Sequence, residues 1–243
     1  MAGIELKKIY KGFTVDNRPL PVLKGVSLEI PENKITVLLG QSGCGKTTLL
    51  RIVGGLEKED SGEICFHVPH KTAFVFQEPR LMPWLSVRGN ITFGLKKKEI
   101  DPEAIKEIIQ TVGLTGFEKA LPAQLSGGMQ HRTAIARALA YNPSFIMMDE
   151  PFAALDYFTR EQMQQELLRV QKDQNASILF VTHSLDEALI LADRIAVLRD
   201  GIISAVLDIP QDKTDRDLLS SEMIRLRKEV LSELHLDTVG SSS

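Results

Sequence analysis

The chain is poor in cysteine, with two in 243 residues, Cys44 and Cys65, so no disulfide framework of the secreted kind holds it together. Tryptophan occurs once, at Trp84. No uninterrupted apolar run approaches the roughly 20 residues that a membrane-crossing helix needs, and the chain is read as not spanning a bilayer. Its first residues, Met1-Ala2-Gly3-Ile4-Glu5-Leu6-Lys7-Lys8, lack the apolar core of a secretory signal. Excess positive charge is also missing: a formal net charge of -3 makes no basic field, and no nucleic-acid partner is expected. No internal repeat or low-complexity linker is found. What is there, 43% hydrophobic and 25% charged residues, is the balance of a soluble globular protein able to bury a substantial core.

Within that ordinary composition one stretch stands apart. Ile35-Thr36-Val37-Leu38-Leu39 is a short β-branched apolar run, Gly40-Gln41-Ser42-Gly43-Cys44-Gly45-Lys46-Thr47-Thr48 follows, and Leu49-Leu50-Arg51-Ile52-Val53 reads as helix. Strand, glycine-rich turn and helix, with Gly40 spaced to Gly45-Lys46-Thr47 as in a phosphate-binding loop, is the context in which that motif carries meaning. Glycines let a backbone close around phosphates without a Cβ in the way. Amides of the loop and the helix start point at the anion, and the helix dipole favours negative charge there. Lys46 would reach the outer phosphates, and the Thr47 hydroxyl would sit on Mg²⁺. Cys44 lies inside this loop, where a disulfide would obstruct a nucleotide, so a reducing compartment suits it. Beside Lys46 at a helix start, its thiol is expected to titrate below the ordinary value.

Upstream, Ile4–Leu6 reads as a short strand, Asp16-Asn17-Arg18-Pro19 as a turn, and Val26, Leu28 and Ile30 as the inward face of a half-buried strand. Tyr10 and Phe13 are either core or a face for a purine ring. Asp60-Ser61-Gly62-Glu63 reads as a turn before strands at Ile64–Phe66 and Thr72–Phe76, the second ending at Gln77. The following loop, Glu78 to Leu85, holds Trp84, which either serves as a docking point for another protein or tucks onto its own domain. Residues 87–121 read as helical and peripheral, with Lys96-Lys97-Lys98-Glu99 as a solvated face. Asp101-Pro102-Glu103 has the composition of a helix start, and that helix ends at Gly113. Leu125-Ser126-Gly127-Gly128-Met129 precedes an Ala-rich helical stretch from Thr133 through Leu139, giving a second anion site of the same physical kind.

Phe145-Ile146-Met147-Met148 reads as a buried strand of a parallel sheet, with Asp149 and Glu150 at its end. Buried charges need partners or metal. Asp149 suits Mg²⁺, and Glu150 suits orienting or deprotonating an attacking water. Residues 159–172 form an amphipathic helix, and Ser177–Thr182 is a further buried strand, ending at His183. Polar groups at strand ends matter because open α/β sheets bind ligands at their carboxyl edge. A helix from Leu185 to Ala192 and a hairpin about Arg199-Asp200-Gly201 follow. In the tail, Asp215 to Leu234, the residues Leu219, Met223, Leu226 and Val230 fall at helical spacing and pack on their own domain; Val239–Ser243 reads as a frayed end.

Taken in order, these motifs resemble the ATP-binding cassette (ABC) ATPases over roughly residues 4–208. Gly40 to Thr48 is similar to the Walker A loop, Gln77 to the Q-loop and Leu125–Met129 to the signature. Phe145–Glu150 is similar to Walker B, Ala154-Leu155-Asp156 to the D-loop and His183 to the switch histidine. The resemblance implies an α/β fold: a P-loop NTPase core with a mainly parallel sheet flanked by helices, an N-terminal antiparallel β lobe, and a helical subdomain carrying the signature. On that reading residues 1–210 are the cassette, about 78–142 the helical subdomain, and 211–243 a C-terminal helical tail. ATP and Mg²⁺ are implied, as is a second cassette, an identical copy, paired head to tail. Gly40, Gln41, Ser42, Gly43, Cys44, Gly45, Lys46, Thr47 and Thr48 would hold the phosphates. Tyr10 falls where the family places its adenine-stacking aromatic, with Phe13 as the alternative. Ser126, Gly127 and Gly128 would act on ATP held by the other copy, and Asp156 would complete the nucleotide contacts. Catalysis would rest on Glu150, His183, Gln77 and Lys46, and the metal on Thr47, Gln77 and Asp149.

Phe76–Leu85 and Leu155-Asp156 with Thr159-Arg160 are similar to the nitrate/sulfonate/taurine-type importers. That implies the energy-coupling ATPase of an import complex, cytoplasmic and peripheral on the inner face of the membrane. A permease would dock near Gln77–Trp84, and a substrate-binding protein would be an indirect partner. The alternative, a soluble ABC ATPase of DNA repair or translation, would be expected to carry a long coiled-coil insertion or paired cassettes. A P-loop small-molecule kinase would leave Ser126-Gly127-Gly128 and His183 without a role. The chain departs from the family at His131, commonly Gln, at Ala154, frequently Ser, and in a short segment between Gly62 and Phe76. His131, near a helix N-terminus, is expected to be disfavoured as a cation.

Overall fold

The computed structural model describes residues 2–67, 71–210, 212–213 and 216–235, so the expected frayed end at Val239–Ser243 lies outside the described residues. In chain order the elements are β1 (Ala2–Val15), β2 (Arg18–Pro31), β3 (Ile35–Leu39), α1 (Lys46–Val53), β4 (Ser61–Phe66), β5 (Thr72–Val75), α2 (Val87–Ile91), α3 (Pro102–Thr111), α4 (Gly127–Ala140), β6 (Phe145–Asp149), α5 (Tyr157–Gln174), β7 (Ser177–Thr182), α6 (Leu185–Leu191), β8 (Arg194–Arg199), β9 (Ile202–Asp208) and α7 (Ser221–His235). Residues 1–69 together with 177–243 make one compact unit, and 70–176 make another.

The first unit begins with an antiparallel sheet in the order β2-β1-β4. β1 and β2 turn at Asp16-Asn17, both left-handed with φ of 49° and 59°, the conformation a two-residue hairpin turn demands. Where the sequence suggests only Ile4–Leu6, β1 runs for 14 residues. Register shifts at Leu6/Ile9, Ile9/Tyr10 and Lys11/Gly12 break its period of two and conceal its length. β2 buries Leu23, Val26, Leu28 and Ile30, as its alternation predicts. The turn expected at Asp60–Glu63 is corrected: β4 already begins at Ser61. Gly62 sits there because of the bulge opposite, between Lys7 and Tyr10, not because of a turn. Its φ is 114°, and a Cβ would meet Lys8 O at 2.5 Å.

The same unit holds the parallel strands β7, β3 and β8, with β9 antiparallel to β8. Every residue of β3 and β7 is buried, which is why neither shows the apolar–polar alternation of a half-exposed strand. Leu39 pairs with Thr182 on one side and Val197 on the other. The residues after those pairs, Gly40 and His183, therefore emerge at one level of the carboxyl edge. α7 packs on α6 and β8 with Met223 and Val230 buried. Leu219 does not belong to that face and is 82% exposed. It precedes the helix, in a turn where Asp217 Oδ1 accepts its amide at 2.8 Å.

In the second unit β5 and β6 are parallel, and α3 and α2 pack on α4. α3 starts as its composition predicts, with Asp101 Oδ1 accepting from Glu103 N at 3.0 Å. α5 starts at Tyr157, before the expected residue 159, because Asp156 caps it and accepts from Thr159 N at 3.1 Å.

Candidate functional site

The first unit presents the glycine loop between β3 and α1. Gly40 has no room for a side chain: a Cβ would lie 2.3 Å from Leu198 O and 2.7 Å from Cys44 Sγ. Gly45, at φ 108°, takes the N-cap position of α1 and supplies no capping side chain, so the helix start is left without a side-chain cap. Lys46 is only 5% exposed, and its Nζ donates to Gly40 O and Gln41 O, both at 2.9 Å. The ammonium thus sits at the mouth of the loop, its burial offset by two carbonyls that a stronger anionic acceptor could replace. Thr47 and Thr48 are half-buried, and Gln41, Ser42 and Gly43 are exposed.

Cys44 corrects an expectation. Its thiol is pushed above the ordinary 9.0 because burial outweighs the opposing pull of Lys46 and the loop amides. The burial that raises it is set by the folded loop and is not visible from neighbours in sequence.

On β1, Tyr10 is neither core nor hidden; it is partly exposed, and its ring covers Gly25 of β2, where a Cβ would meet Tyr10 Oη at 2.7 Å. Phe13 is also partly exposed, with Lys11 Nζ 5.2 Å from its ring centre. At the end of β7, His183 is exposed. The turn that carries it is fixed by Thr182 Oγ1, which donates to Glu187 Oε2 at 2.6 Å and accepts from Ser184 N at 2.9 Å.

In the second unit the carboxyl edge is formed by β5 and β6. Val75 pairs with Met148, so Gln77 and Glu150 each stand two residues beyond the last pair, on adjacent strands. Asp149 is 3% exposed, whereas Glu150 is half-buried. Glu150 takes a left-handed backbone, φ 45°, an arrangement that costs a non-glycine residue on the order of 1 kcal/mol and falls where the strand ends. No local signal in Met148-Asp149-Glu150-Pro151 announced it.

The loop after Gln77 is held more firmly than its composition suggests. Asn90 of α2 is fully buried; its side chain accepts from Met82 N at 2.7 Å and donates to Met82 O, Leu85 O and Ser86 O at 3.1, 2.9 and 3.1 Å. Arg137 of α4 donates to Arg80 O and Pro79 O at 3.0 and 3.1 Å. The Arg80 guanidinium lies 4.1 Å from the Phe76 ring centre, and Phe76 stacks on Phe74. On this bracket Trp84 is 72% exposed, so it is not tucked onto its own unit. Neither Asn90 nor Arg137 was singled out in the sequence, since nothing local ties either to the loop.

The segment Ser126-Gly127-Gly128 forms the start of α4, with Ser126 as N-cap accepting from Met129 N at 3.2 Å. Gly128 abuts the Ala154-Leu155-Asp156 loop: a Cβ there would meet Leu155 Cδ2 at 3.5 Å. Among the described residues a Cβ on Gly127 would meet nothing within 4 Å. Asp156 is held below the usual carboxylate range, first by its hydrogen bonds from Thr159. His131 is disfavoured as a cation, as expected, but by burial inside α4. Among the described residues no group of three or more His, Cys, Asp and Glu could hold a metal ion by itself, and no helix is long and apolar enough to cross a membrane.

Comparison with known proteins gives consistent matches. The family described as ABC transporter matches residues 23–153. An uncharacterized ABC transporter ATP-binding protein of Methanocaldococcus jannaschii is 42% identical over 243 residues, 95% of this chain and 91% of that protein. The aliphatic sulfonates import ATP-binding protein SsuB 2 of Pseudomonas syringae pv. tomato is 44% identical over 231 residues, 94% of this chain and 95% of that protein. Among solved structures, the dimeric post-hydrolysis state of an ATP-binding cassette bound to ADP and Pi matches with a TM-score of 0.78 at 31% identity, covering 86% of this chain and 100% of that one.

Proposed function

The chain belongs to the ABC transporter family of ATP-binding subunits and has its P-loop NTPase fold with an antiparallel N-terminal lobe, and from that premise we propose that two copies, head to tail, hydrolyse ATP to drive import of a small sulfonate-like anion. The observation that carries this reading is the glycine loop. The glycine-capped start of α1, where the helix dipole favours an anion, and a nearly buried Lys46 at the loop mouth form a site for a triphosphate. Lys46 exchanges the carbonyls of Gly40 and Gln41 for outer phosphate oxygens, and Gly40 through Thr48 cradle the rest. Tyr10 supplies the face for adenine, being partly exposed on β1.

Glu150 orients and deprotonates the attacking water, while His183 contacts the γ-phosphate; both stand at strand ends. Gln77, Asp149 and Thr47 offer hard oxygen donors of the kind Mg²⁺ takes. When bound, Mg²⁺ supplies neutralisation of charge developing between the β- and γ-phosphates.

Action from the second copy is supported by Gly127, where no described residue of its own chain lies within 4 Å of the place of a Cβ. Ser126, Gly127 and Gly128 therefore close over ATP held by the other protomer, with Asp156 beside them. That arrangement also accords with the dimeric solved cassette that this chain resembles. A permease docks on Trp84 and its bracketed loop, and so holds the subunit at the inner membrane face; a substrate-binding protein delivers the cargo to that permease. Relatives named for aliphatic sulfonates import support the substrate group.

The test is phosphate release by the purified chain across a range of protein concentrations. Specific activity should climb with concentration as protomers pair, and Ser126→Arg should abolish it while nucleotide still binds the monomer. Full-rate turnover by a strictly monomeric preparation would overturn the reading.

A further inference from the structure

We propose that the C-terminal tail is a positioning brace for His183, with Arg216 and Arg227 holding the short helix to which that histidine is fixed. The inference rests on the reading of His183 as a γ-phosphate contact and adds the residues that keep it there. Thr182 and Ser184, on either side of His183, are hydrogen-bonded to each other and to Glu187 in the first turn of α6. The position of His183 is therefore the position of α6. That helix spans only seven residues, too few to be stable without packing.

The tail grips α6 at both ends. Arg227 of α7 pairs with Asp186, three residues after His183. Arg216 donates through one guanidinium nitrogen to Leu189 O and Ile190 O at 3.0 and 3.1 Å, carbonyls of the last turn. The grip is anchored in the strands beside it. Lys213 Nζ lies 2.6 Å from Asp193 Oδ2, and the same oxygen accepts from Ile35 N, at the start of β3, at 2.7 Å. Arg199, at the end of β8, donates to Glu233 O of α7 at 3.2 Å. Its neighbour Leu198 presents the carbonyl that abuts Gly40. Met223 and Val230 bury the inner face of α7. One segment thus ties α6 to β3 and β8, the strands next to the glycine loop, and a shift of the tail is transmitted to His183.

The experiment measures steady-state MgATP hydrolysis by the full chain carrying Arg227→Ala or Asp186→Asn, each alone and combined with His183→Ala. Loss of a partly exposed pair should lower kcat about threefold to fivefold, leave KM for ATP unchanged, and be largely restored by Arg227→Lys. In the His183→Ala background, Arg227→Ala should have no further effect. Unchanged kcat in both Arg227→Ala and Asp186→Asn overturns the brace. So does an equal loss with and without His183, which would mark a general structural role. Full activity in His183→Ala alone would instead refute the role of the histidine, and the brace would fall with it.

Discussion

The bracket beneath Trp84 makes a demanding prediction, because the only tryptophan of the chain reports on it directly. Asn90→Ala removes one acceptor and the donors to three carbonyls from a fully buried position. A typical hydrogen bond contributes about 1 kcal/mol net, and a buried amide left unmatched costs about 1–3 kcal/mol. Met82 is half-buried, so water relieves part of that penalty, while Ser86 O keeps a second donor, the backbone amide of Asn90. The expected loss is about 2 kcal/mol, which raises the open-loop population roughly thirtyfold. Steady-state anisotropy of Trp84 should fall, acrylamide should quench it more readily, and the urea midpoint should drop. Asn90→Asp should be worse, since a carboxylate would face three carbonyl oxygens. If stability falls while Trp84 anisotropy and quenching stay at their original values, Asn90 holds the fold but not the loop, and the argument for a rigid docking element fails.

Glu150→Gln should bind ATP with near-normal affinity, lose about 100-fold or more in turnover, and elute as a dimer in the presence of ATP; hydrolysis at the normal rate would remove Glu150 as the base. Cys44 should react with maleimide more slowly than an unhindered thiol at neutral pH, its rate still climbing above pH 9.0; fast labelling at neutral pH contradicts the burial argument. His131 has a folded-state pKa below 6.5, so the unfolded chain binds the extra proton first and stability falls as pH drops from 6.5 toward the depressed value. His131→Gln should flatten the thermal midpoint across that window, and an undiminished slope would place the titration elsewhere.

Legibility followed locality. The strand, loop and helix from Ile35 to Val53 could be read because each part has a local code: β-branched residues, glycines and a helical apolar period. Asp101 and Ser126 were legible as helix starts for the same reason, since each accepts an amide within three residues. The length of β1 was not, because bulges shift its register and spoil the period that pattern reading relies on. Nor was the Cys44 thiol. Lys46 and the helix start are adjacent in sequence and pull the pKa down, but the burial that pushes it up arises only once the loop is folded. Leu219 failed for a related reason: its spacing fits α7, but the helix begins after it. Asn90, Arg137, Arg216 and Arg227 act on carbonyls or carboxylates set by tertiary structure, and no sequence period predicts such partners.

The glycines separate two kinds of demand on the chain. Gly40 is required by its own fold, since any side chain would run into Leu198 O, and Gly62 is required by a bulge. Gly127 meets neither condition: its backbone lies in α4, its φ is not in the left-handed region, and no described residue lies within 4 Å of the place where a Cβ would stand. Glycine loses more conformational freedom on folding than alanine does, and among the described residues no contact at that position requires it. The compensation then comes from outside the protomer, from something that must approach the backbone more closely than a methyl group permits. A phosphate held by the Lys46 of a second copy has that requirement. On this account Gly127→Ala should stabilise the isolated protomer slightly while impairing turnover, and a variant that hydrolyses ATP as fast as the parent would break the link between that open space and the opposing nucleotide.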